Sequence, residues 1–421
     1  MDDRFPHTLR ALSSKILRKV EEGAFLDETI DGYFSRQPLS EKERALIYQI
    51  TSGVIRWKGY LDWVLSTYAR KEIKRDLRRM LSISLYQIAF MKKGDYHVVN
   101  ETVDYVKREK GQATANFVNA MLRRFIREKD SGSFSKEEAL SRSFPAWLVK
   151  RWQSRFGDSD TAKLLSILNE TPRFTLRVNL SRLSLEQAAT RLFEEGIPTQ
   201  PGQLSASALS VDKLAPVLVS RLFAEGIVSV QDEMSQLAGF AAAKATSTRI
   251  LDACAGLGTK SRQIREICPH VLVVSMDNEM KRLGRAGTDC IRVLADATRS
   301  PFKKDVFDTI LLDAPCSSLG VLRKHPEIKW RRHREDIISF GNYQLSLLSN
   351  LWQNLARGGH MIYSVCSFEP EETLDVIEKF KKAGKFTLEN PLPFLFNKEY
   401  YLSLPHETGT DGFFIAKMKK T

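Results

Sequence analysis

The sequence predicts a multidomain chain: an all-α bundle first, a small α+β unit next, and a C-terminal α/β domain on a largely parallel sheet. Three observations predict it. Apolar residues recur at three- and four-residue spacing through roughly the first 130 positions. Between about 141 and 225 the periods mix. From about 226, short apolar runs alternate with helical or loop segments, and five of these runs lead to an acid or a cysteine.

The bundle is placed at 1–135. "RALSSKILRKVEEG" and "ERALIYQITSGVIRWKGYLDWVLSTY" carry the helical spacing, and "RDLRRMLSISLYQIAFM" puts Leu77, Leu81, Leu85 and Ile88 on one face, with Arg75, Arg78 and Arg79 mostly opposite. "NETVDYVKRE" and "NFVNAMLRRFIRE" follow, with Gly94-Asp95 and Gly111 as punctuation. The polar stretch "REKDSGSFSKEE", 127–138, is expected to be a linker. The α+β unit, 141–225, rests on a strand in "RFTLRVNL", a helix in "SLEQAATRLFEEG" capped by Ser184, and a strand in "ALSVDK". The third domain, 226–421, rests on "STRILDACAG", "HVLVVSMD", "CIRVLADA", "FDTILLDAP" and "GGHMIYSVCS", the buried strands of a sheet covered on both faces.

The bulk properties suit a soluble protein: 43% of residues are hydrophobic and 27% charged. There is no apolar run of about eighteen residues to span a membrane, and the N-terminus lacks a secretory pattern, so a cytoplasmic location is expected. The five cysteines include no pair at metal-ligand spacing, so free thiols and no metal are expected. The formal net charge is +13, and residues 1–150 hold 28 Lys and Arg against 20 Asp and Glu, which is +8. Such a balance favours nucleic acid as partner over a merely solvated basic surface.

The polar residues fall in a pattern. Asp252, Asp277, Asp296, Asp313 and Cys366 each stand at or just past the end of one apolar run. Ligands of open α/β sheets bind outside the carboxyl ends of the strands, so five strands aim functional groups at one rim. A single acid at a strand end is ordinarily a cap; five in succession point to a site. The first turn, "DACAGLGTKS", brings Gly256 and Gly258. A phosphate-binding loop needs Gly directly before its Lys-Ser pair, but Thr259 precedes Lys260. A dinucleotide fingerprint needs a third glycine where Ser261 stands. S-adenosylmethionine is the remaining ligand, with Asp277 placed for a ribose diol and Asp296 for an adenine amino group.

Cys316 and Cys366 are neighbours if both strands share one sheet. Carbon 5 of a pyrimidine is too electron-poor for direct methylation. Thiolate attack on carbon 6 gives an adduct whose carbon 5 is nucleophilic, and a second group must then help remove the carbon-5 proton and release the enzyme. Asp313 stands three residues before Cys316, where it could donate to or polarise the ring nitrogen. By spacing alone, either cysteine could attack. Two buried structural cysteines would be the simpler account of either one alone, and the neighbouring acids weigh against it for the pair.

"LDACAGLGTK", "DAPCSSLGVLRKHPEIKW", "YSVCSFEPEE" and "GTDGFFIAKMKK" together resemble the bacterial RNA cytosine-5 methyltransferases of the Sun/Fmu (NOL/NOP/Sun) family. "IVSVQDEMSQLAG" looks like the segment opening that family's methyltransferase domain, and "LRVN", 176–179, like its preceding RNA-recognition-like subdomain. "YQITSGVIRWKGYLDWVL" and "NFVNAMLRRF" look like a NusB-type RNA-binding domain, the mark of the branch acting on small-subunit (16S) ribosomal RNA. The resemblance implies a NusB-like bundle and a class I, Rossmann-like, S-adenosylmethionine-dependent methyltransferase domain. It implies Cys366 as nucleophile, Cys316 as the group assisting product release, and Asp313 and Lys260 as holders of the cytosine. For the cofactor it implies Asp252, Cys254, Ala255, Gly256, Leu257, Gly258, Thr259, Lys260, Asp277, Arg282, Asp296, Ala297 and Asp313. The family's loop usually reads A-P-G-G-K-T; here the proline and one glycine are lost and Lys260 is kept. A monomer acting on 16S ribosomal RNA before full subunit assembly is expected. Ser317, Ser318 and the basic His-Pro segment after them are expected to face the RNA. The rival functions are a non-catalytic RNA-binding protein on this scaffold and a NAD-dependent oxidoreductase.

Overall fold

The computed structural model describes residues 9–69, 71–91, 94–133, 135–245, 247–284, 290–382 and 385–421. The chain divides into two compact units, Met1–Glu170 with Leu322–Arg331, and Thr171–Val321 with Arg332–Thr421.

The first unit is helical. Helices run over Leu9–Glu21, Leu26–Phe34, Glu41–Arg56, Lys58–Tyr68, Arg75–Phe90, Asp95–Lys110, Gln112–Asp130, Lys136–Arg142 and Ala146–Leu168. The stripe expected on "RDLRRMLSISLYQIAFM" is buried, with Leu77, Leu81, Leu85 and Ile88 in one core beside Leu61 and Phe125. Two expectations are corrected. The stretch 127–138 is not a linker: one helix continues to Asp130 and the next begins at Lys136, with the Ser135 hydroxyl accepting from the Glu138 N–H at 3.0 Å. Its polarity belongs to exposed helix faces, and the helical unit continues past 135 to Glu170. The second correction concerns the segment after Cys316. Residues Leu322–Arg331 belong to this helical unit, with Ile328 and Lys329 buried in it. Lys329 Nζ donates to the Arg56 carbonyl at 2.8 Å and to Asn169 Oδ1 at 3.0 Å, and lies 3.8 Å from the Phe144 ring centre. The Trp330 indole N–H donates to the Ile55 carbonyl at 2.8 Å. These side chains are packed, not presented to a ligand.

The second unit contains two sheets. The smaller is antiparallel, in the order β2-β3-β1-β4, with β1 Phe174–Val178, β2 Gln200–Pro201, β3 Ala208–Val211 and β4 Val228–Val230. Helix Leu185–Glu194 contributes Ala188 and Leu192 to the core under this sheet, and Ser184 and Gln187 form its capping box. β4 lies in the stretch expected to open the third domain, and instead pairs with β1, so the small sheet extends past 225.

The larger sheet comprises β5 Arg249–Asp252, β6 Leu272–Asp277, β7 Ile291–Leu294, β8 Phe307–Asp313, β9 Leu355–Val365, β10 Phe386–Glu389, β11 Tyr400–Ser403 and β12 Phe413–Lys420. Its order is β10-β12-β9-β8-β5-β6-β7, with β11 also paired to β12. The five strands read from sequence, β5 to β9, are the parallel ones; β10, β11 and β12 join antiparallel. Along β8, Leu311 packs with helices Glu233–Ala243 and Thr259–Ile267, while Ile310 and Leu312 pack with Arg334–Leu351 and Leu374–Lys381. Burial on both faces explains why β8 reads as a continuous apolar run. The sheet grows from β5 toward β6 on one side and β8 on the other, so its topological switch lies between β5 and β8. Among the described residues no helix is long and apolar enough to cross a membrane.

Candidate active site

Asp252, Asp277 and Asp313 are the last residues of β5, β6 and β8, and Cys366 directly follows β9. Four strand ends thus deliver acids and a thiol to the rim beside the switch point. Asp296 lies two residues past β7, exposed, where its side chain caps a short turn by accepting from the Thr298 N–H at 2.8 Å.

The β5 turn forms an open cradle. Gly256 and Gly258 have φ of +55° and +71°, and a Cβ at Gly256 would meet nothing within 4 Å. The turn is held in place: Ala255 N–H donates to the Met276 carbonyl at 2.9 Å and Gly256 N–H to Asp277 Oδ2 at 2.8 Å. The other oxygen of Asp277 accepts from the Glu279 N–H at 2.9 Å. Leu257 is exposed, Cys254 is half-buried with its thiol pushed up by burial, and Thr259 opens the following helix. Asp252 is 1% exposed; its Oδ2 accepts from Ser261 at 2.6 Å, while Oδ1 is buried without a partner among the described residues. Burial pushes its carboxyl up to about 6. An orphaned acceptor beside an open glycine turn fits a polar ligand such as S-adenosylmethionine. Ala297 is buried and its carbonyl accepts from Asn350 at 2.7 Å. Arg282 is exposed and pairs with Glu279 at 3.0 Å, away from the turn's hydrogen bonds.

Lys260 and Asp313 form an ion pair at 2.5 Å, and Ser364 donates to the other oxygen of Asp313 at 2.7 Å. Burial acts to lower the Lys260 pKa, but Asp313, with help from Asp252 and Cys366, holds it above the ordinary lysine range. The ammonium therefore stays charged beside the thiols. Cys316 Sγ and Cys366 Sγ lie 3.1 Å apart, Cys316 buried and Cys366 partly exposed. The hydrogen bond to Cys366 and then burial push the Cys316 thiol well up, so Cys316 holds its proton.

Four features of this site escaped the sequence reading. The buried Arg177 of β1 pairs with Glu266 at 2.8 Å and reaches the Thr259 carbonyl, next to Lys260, at 3.2 Å. A Cβ on Gly320 would lie 1.9 Å from the Gly412 carbonyl oxygen, and Gly320 N–H donates to the Cys366 carbonyl at 3.1 Å. That close backbone approach ties the Cys316 loop to Cys366 and to the "GTDGFF" stretch. Ser364 is the third. The fourth is Ser317, which was expected to face RNA; it is fully buried against Glu372, as is Ser367. Of these, only Arg177 carries a signal in the sequence, an arginine inside an apolar strand.

Residues 241–419 match a family model described as 16S rRNA methyltransferase RsmB/F, 7–127 match the NusB family, and 144–218 match an RsmF/B-like ferredoxin-like domain. A protein of Pasteurella multocida named ribosomal RNA small subunit methyltransferase B is 32% identical, over 98% of this chain and 96% of its own. One of that name from Escherichia coli is 31% identical, over 98% of both. A solved structure of PH0851 has a TM-score of 0.80 at 21% identity over the full length of both chains. NSun6 from Pyrococcus horikoshii with SFG has a TM-score of 0.59 at 19% identity, covering 66% of this chain and 98% of its own. These two structures support the fold.

Proposed function

Because this chain belongs to the ribosomal RNA small subunit methyltransferase B family, we propose that it transfers a methyl group from S-adenosylmethionine to carbon 5 of a cytosine in 16S ribosomal RNA, through a covalent cysteine–cytosine intermediate. The observation that carries this reading is the thiol pair, Cys316 and Cys366 at 3.1 Å, beside the Lys260–Asp313 ion pair. One buried thiol packs as a small hydrophobe; two in contact at the rim, next to a held ammonium, suit nucleophilic chemistry.

Cys366 is the nucleophile. It is the more exposed of the two, while the Cys316 thiol is buried and held protonated by its contact with Cys366 and by burial. Its sulfur bonds to carbon 6, and the displaced electron pair is delocalised toward carbon 5 and the ring nitrogen. Lys260 and Asp313 hold the base, and the ammonium offsets the negative charge that the thiolate brings onto the ring. Bound S-adenosylmethionine supplies the methyl group to carbon 5. Asp252, the Cys254–Lys260 turn, Asp277, Arg282, Asp296, Ala297 and Asp313 are the residues assigned to hold it. Cys316 completes the reaction. Once Cys366 is a thioether, the largest cause of the raised Cys316 pKa is removed, so Cys316 can release its own proton to solvent and, as thiolate, take the carbon-5 proton. The carbon–hydrogen pair restores the ring double bond, and the carbon–sulfur bond breaks to return Cys366 as thiolate. The substrate is 16S ribosomal RNA before full subunit assembly, and the enzyme acts as a monomer.

The two cysteine variants test this on denaturing gels with 16S RNA and S-adenosylmethionine. Cys366→Ala is inactive and leaves no covalent complex. Cys316→Ala methylates once and accumulates a protein–RNA adduct. The reverse pattern would exchange the roles, and full methylation by both variants would leave only an RNA-binding protein or a different chemistry.

A further inference from the structure

Beneath the two cysteines lies a buried polar cluster that the reaction itself does not use. Glu372, Ser317, Ser367, Gln344 and Tyr363 are all fully buried. Glu372 Oε1 accepts from the Ser317 N–H at 2.6 Å and from Gln344 Nε2 at 3.3 Å. Its Oε2 accepts from the Ser317 hydroxyl at 2.5 Å and the Ser367 hydroxyl at 2.6 Å. Every partner is a donor and each oxygen receives two, so the group binds as a fully satisfied carboxylate. Ser317 directly follows Cys316 and Ser367 directly follows Cys366. A single carboxylate therefore fixes the backbone just beyond each thiol. Gln344 extends the hold, donating to the Pro315 carbonyl at 2.9 Å on the other side of Cys316. Tyr363, inside β9, donates to the Glu372 carbonyl at 2.6 Å and closes the cluster against the sheet.

We propose that Glu372 is a positioning residue that holds Cys316 and Cys366 in thiol–thiol contact by binding the serine that follows each of them. Pairing of β8 with β9 alone does not set this contact, because both thiols lie past the last residues at which these two strands pair with each other, Asp313 and Ser364. Beyond that register the two loops are joined through Glu372 and through the Gly320–Cys366 backbone bond. Gln in place of Glu372 would turn an amide N–H₂ toward groups that now donate to a carboxylate oxygen, leaving the two serine hydroxyls, 3.4 Å apart, without the acceptor that joins them.

The inference rests on the two-cysteine reading for its kinetic consequence, so the test includes a readout that needs neither RNA nor cofactor. Phenylarsine oxide binds two adjacent thiols, forming two arsenic–sulfur bonds with loss of water, and reports their contact directly. Cys316→Ser serves as the control that abolishes bridging. Glu372→Gln is expected to bind S-adenosylmethionine and RNA within about threefold of wild type. Its kcat should fall about 100-fold, the cost of a misplacement of about 1 Å, and its arsenical affinity about tenfold or more. Wild-type kcat, or wild-type arsenical affinity, overturns the proposal. So does a loss of cofactor binding as large as the loss of kcat, which would mark a general structural role. If Glu372→Gln does not accumulate as folded protein, Ser317→Ala combined with Ser367→Ala removes both hydroxyl donors and is judged by the same two readouts. Full kcat and full arsenical affinity in that double variant also overturn it. If arsenical bridging depends on Glu372 while Cys366→Ala still methylates RNA, positioning stands and the catalytic reading falls.

Discussion

Asp252→Asn should make the protein more stable and less able to bind its cofactor, with a pH dependence that identifies the cause. Asp252 is 1% exposed, and among the described residues only one of its oxygens has a partner, the Ser261 hydroxyl. Burial lifts its carboxyl from 3.8 to about 6, more than Ser261 and Lys260 can offset. Carrying a carboxyl that far costs about 3 kcal/mol in the ionised form. The sign follows from linkage: the folded state holds the proton more tightly, so stability is fullest below the unfolded value and falls as pH rises through about 6. At pH 8 the wild type bears the whole cost of about 3 kcal/mol, and at pH 4 about 0.5 kcal/mol. Asparagine cannot ionise. Its amide carries its own burial cost, but equally at both pH values. The variant's stability relative to wild type should therefore be about 2.5 kcal/mol more favourable at pH 8 than at pH 4. For a unit of this size that is about 5–10 °C in melting temperature. Calorimetric melting at the two pH values measures it, and titration with S-adenosylmethionine at pH 8 should show weakened binding. A pH-independent difference would refute the argument that a buried charge is held at this strand end for the ligand.

Asp277→Ala should lose about 1.5–3 kcal/mol of S-adenosylmethionine affinity, and unchanged calorimetric affinity would remove Asp277 from the cofactor site. The Lys329 ammonium is buried, and burial lowers its pKa well below the ordinary lysine value. A folded pKa lowered in this way adds stability as pH rises above it, so raising pH from 7 toward 10 should gain stability in wild type, and Lys329→Met should abolish that gain in paired melts. RNA affinity of the full chain should fall with salt, by about 0.7–0.9 log units per log unit of salt for each phosphate contact. Reversing the exposed Lys71 and Lys74 to Glu should make that slope shallower, and an unchanged slope would place the RNA contacts elsewhere.

The parts of the fold legible in the sequence are those with a local signature. β5, β6, β8 and β9 are largely buried, so each reads as an apolar run, while the edge strand β7 reads by its apolar residues although Ile291 and Leu294 are half exposed; the polar residue at or just past the end of each run marks the rim. The bundle helices read by their stripes. β12 did not read as a strand of this sheet: "FFIAKMKK" turns basic, and its place between β9 and β10 is a matter of antiparallel topology that no local pattern encodes. β4 was missed for a similar reason, since three residues pairing with a strand some fifty positions earlier carry no period of their own. In the candidate site, the strand-end acids and the two cysteines could be picked out from the sequence, but the groups that hold them could not. Glu372 follows Pro370 and Glu371 and reads as an ordinary acid at a helix start; its donors come from Ser367 nearby and from Gln344 and Ser317 far back in the chain.

The length of "DAPCSSLGVLRKHPEIKW" has a physical explanation that the chemistry of Cys316 alone does not supply. Its first half builds the rim: Asp313 ends β8, Pro315 has no N–H with which to continue the ladder, Cys316 meets Cys366, and Ser317 binds Glu372. Its second half, from Leu322, is part of the helical unit's interior. There the requirements are those of a core. Glu327 accepts from the Leu26 N–H at 3.2 Å, Lys329 satisfies two carbonyl-type acceptors, and Trp330 bonds the Ile55 carbonyl. Arg56, itself buried, donates to the Glu170 and Arg323 carbonyls at 2.8 Å each. Two buried basic side chains close enough for Arg56 to lower the Lys329 pKa are costly unless their donors are met, and here carbonyl groups and Asn169 meet them, with the Phe144 ring packed against the Lys329 nitrogen. Lysine and tryptophan are thus held in place by packing and by hydrogen bonds to buried carbonyls. Packing of this kind also accounts for the charge of Lys329 and Arg56, which lie inside the helical unit's core and not on its surface.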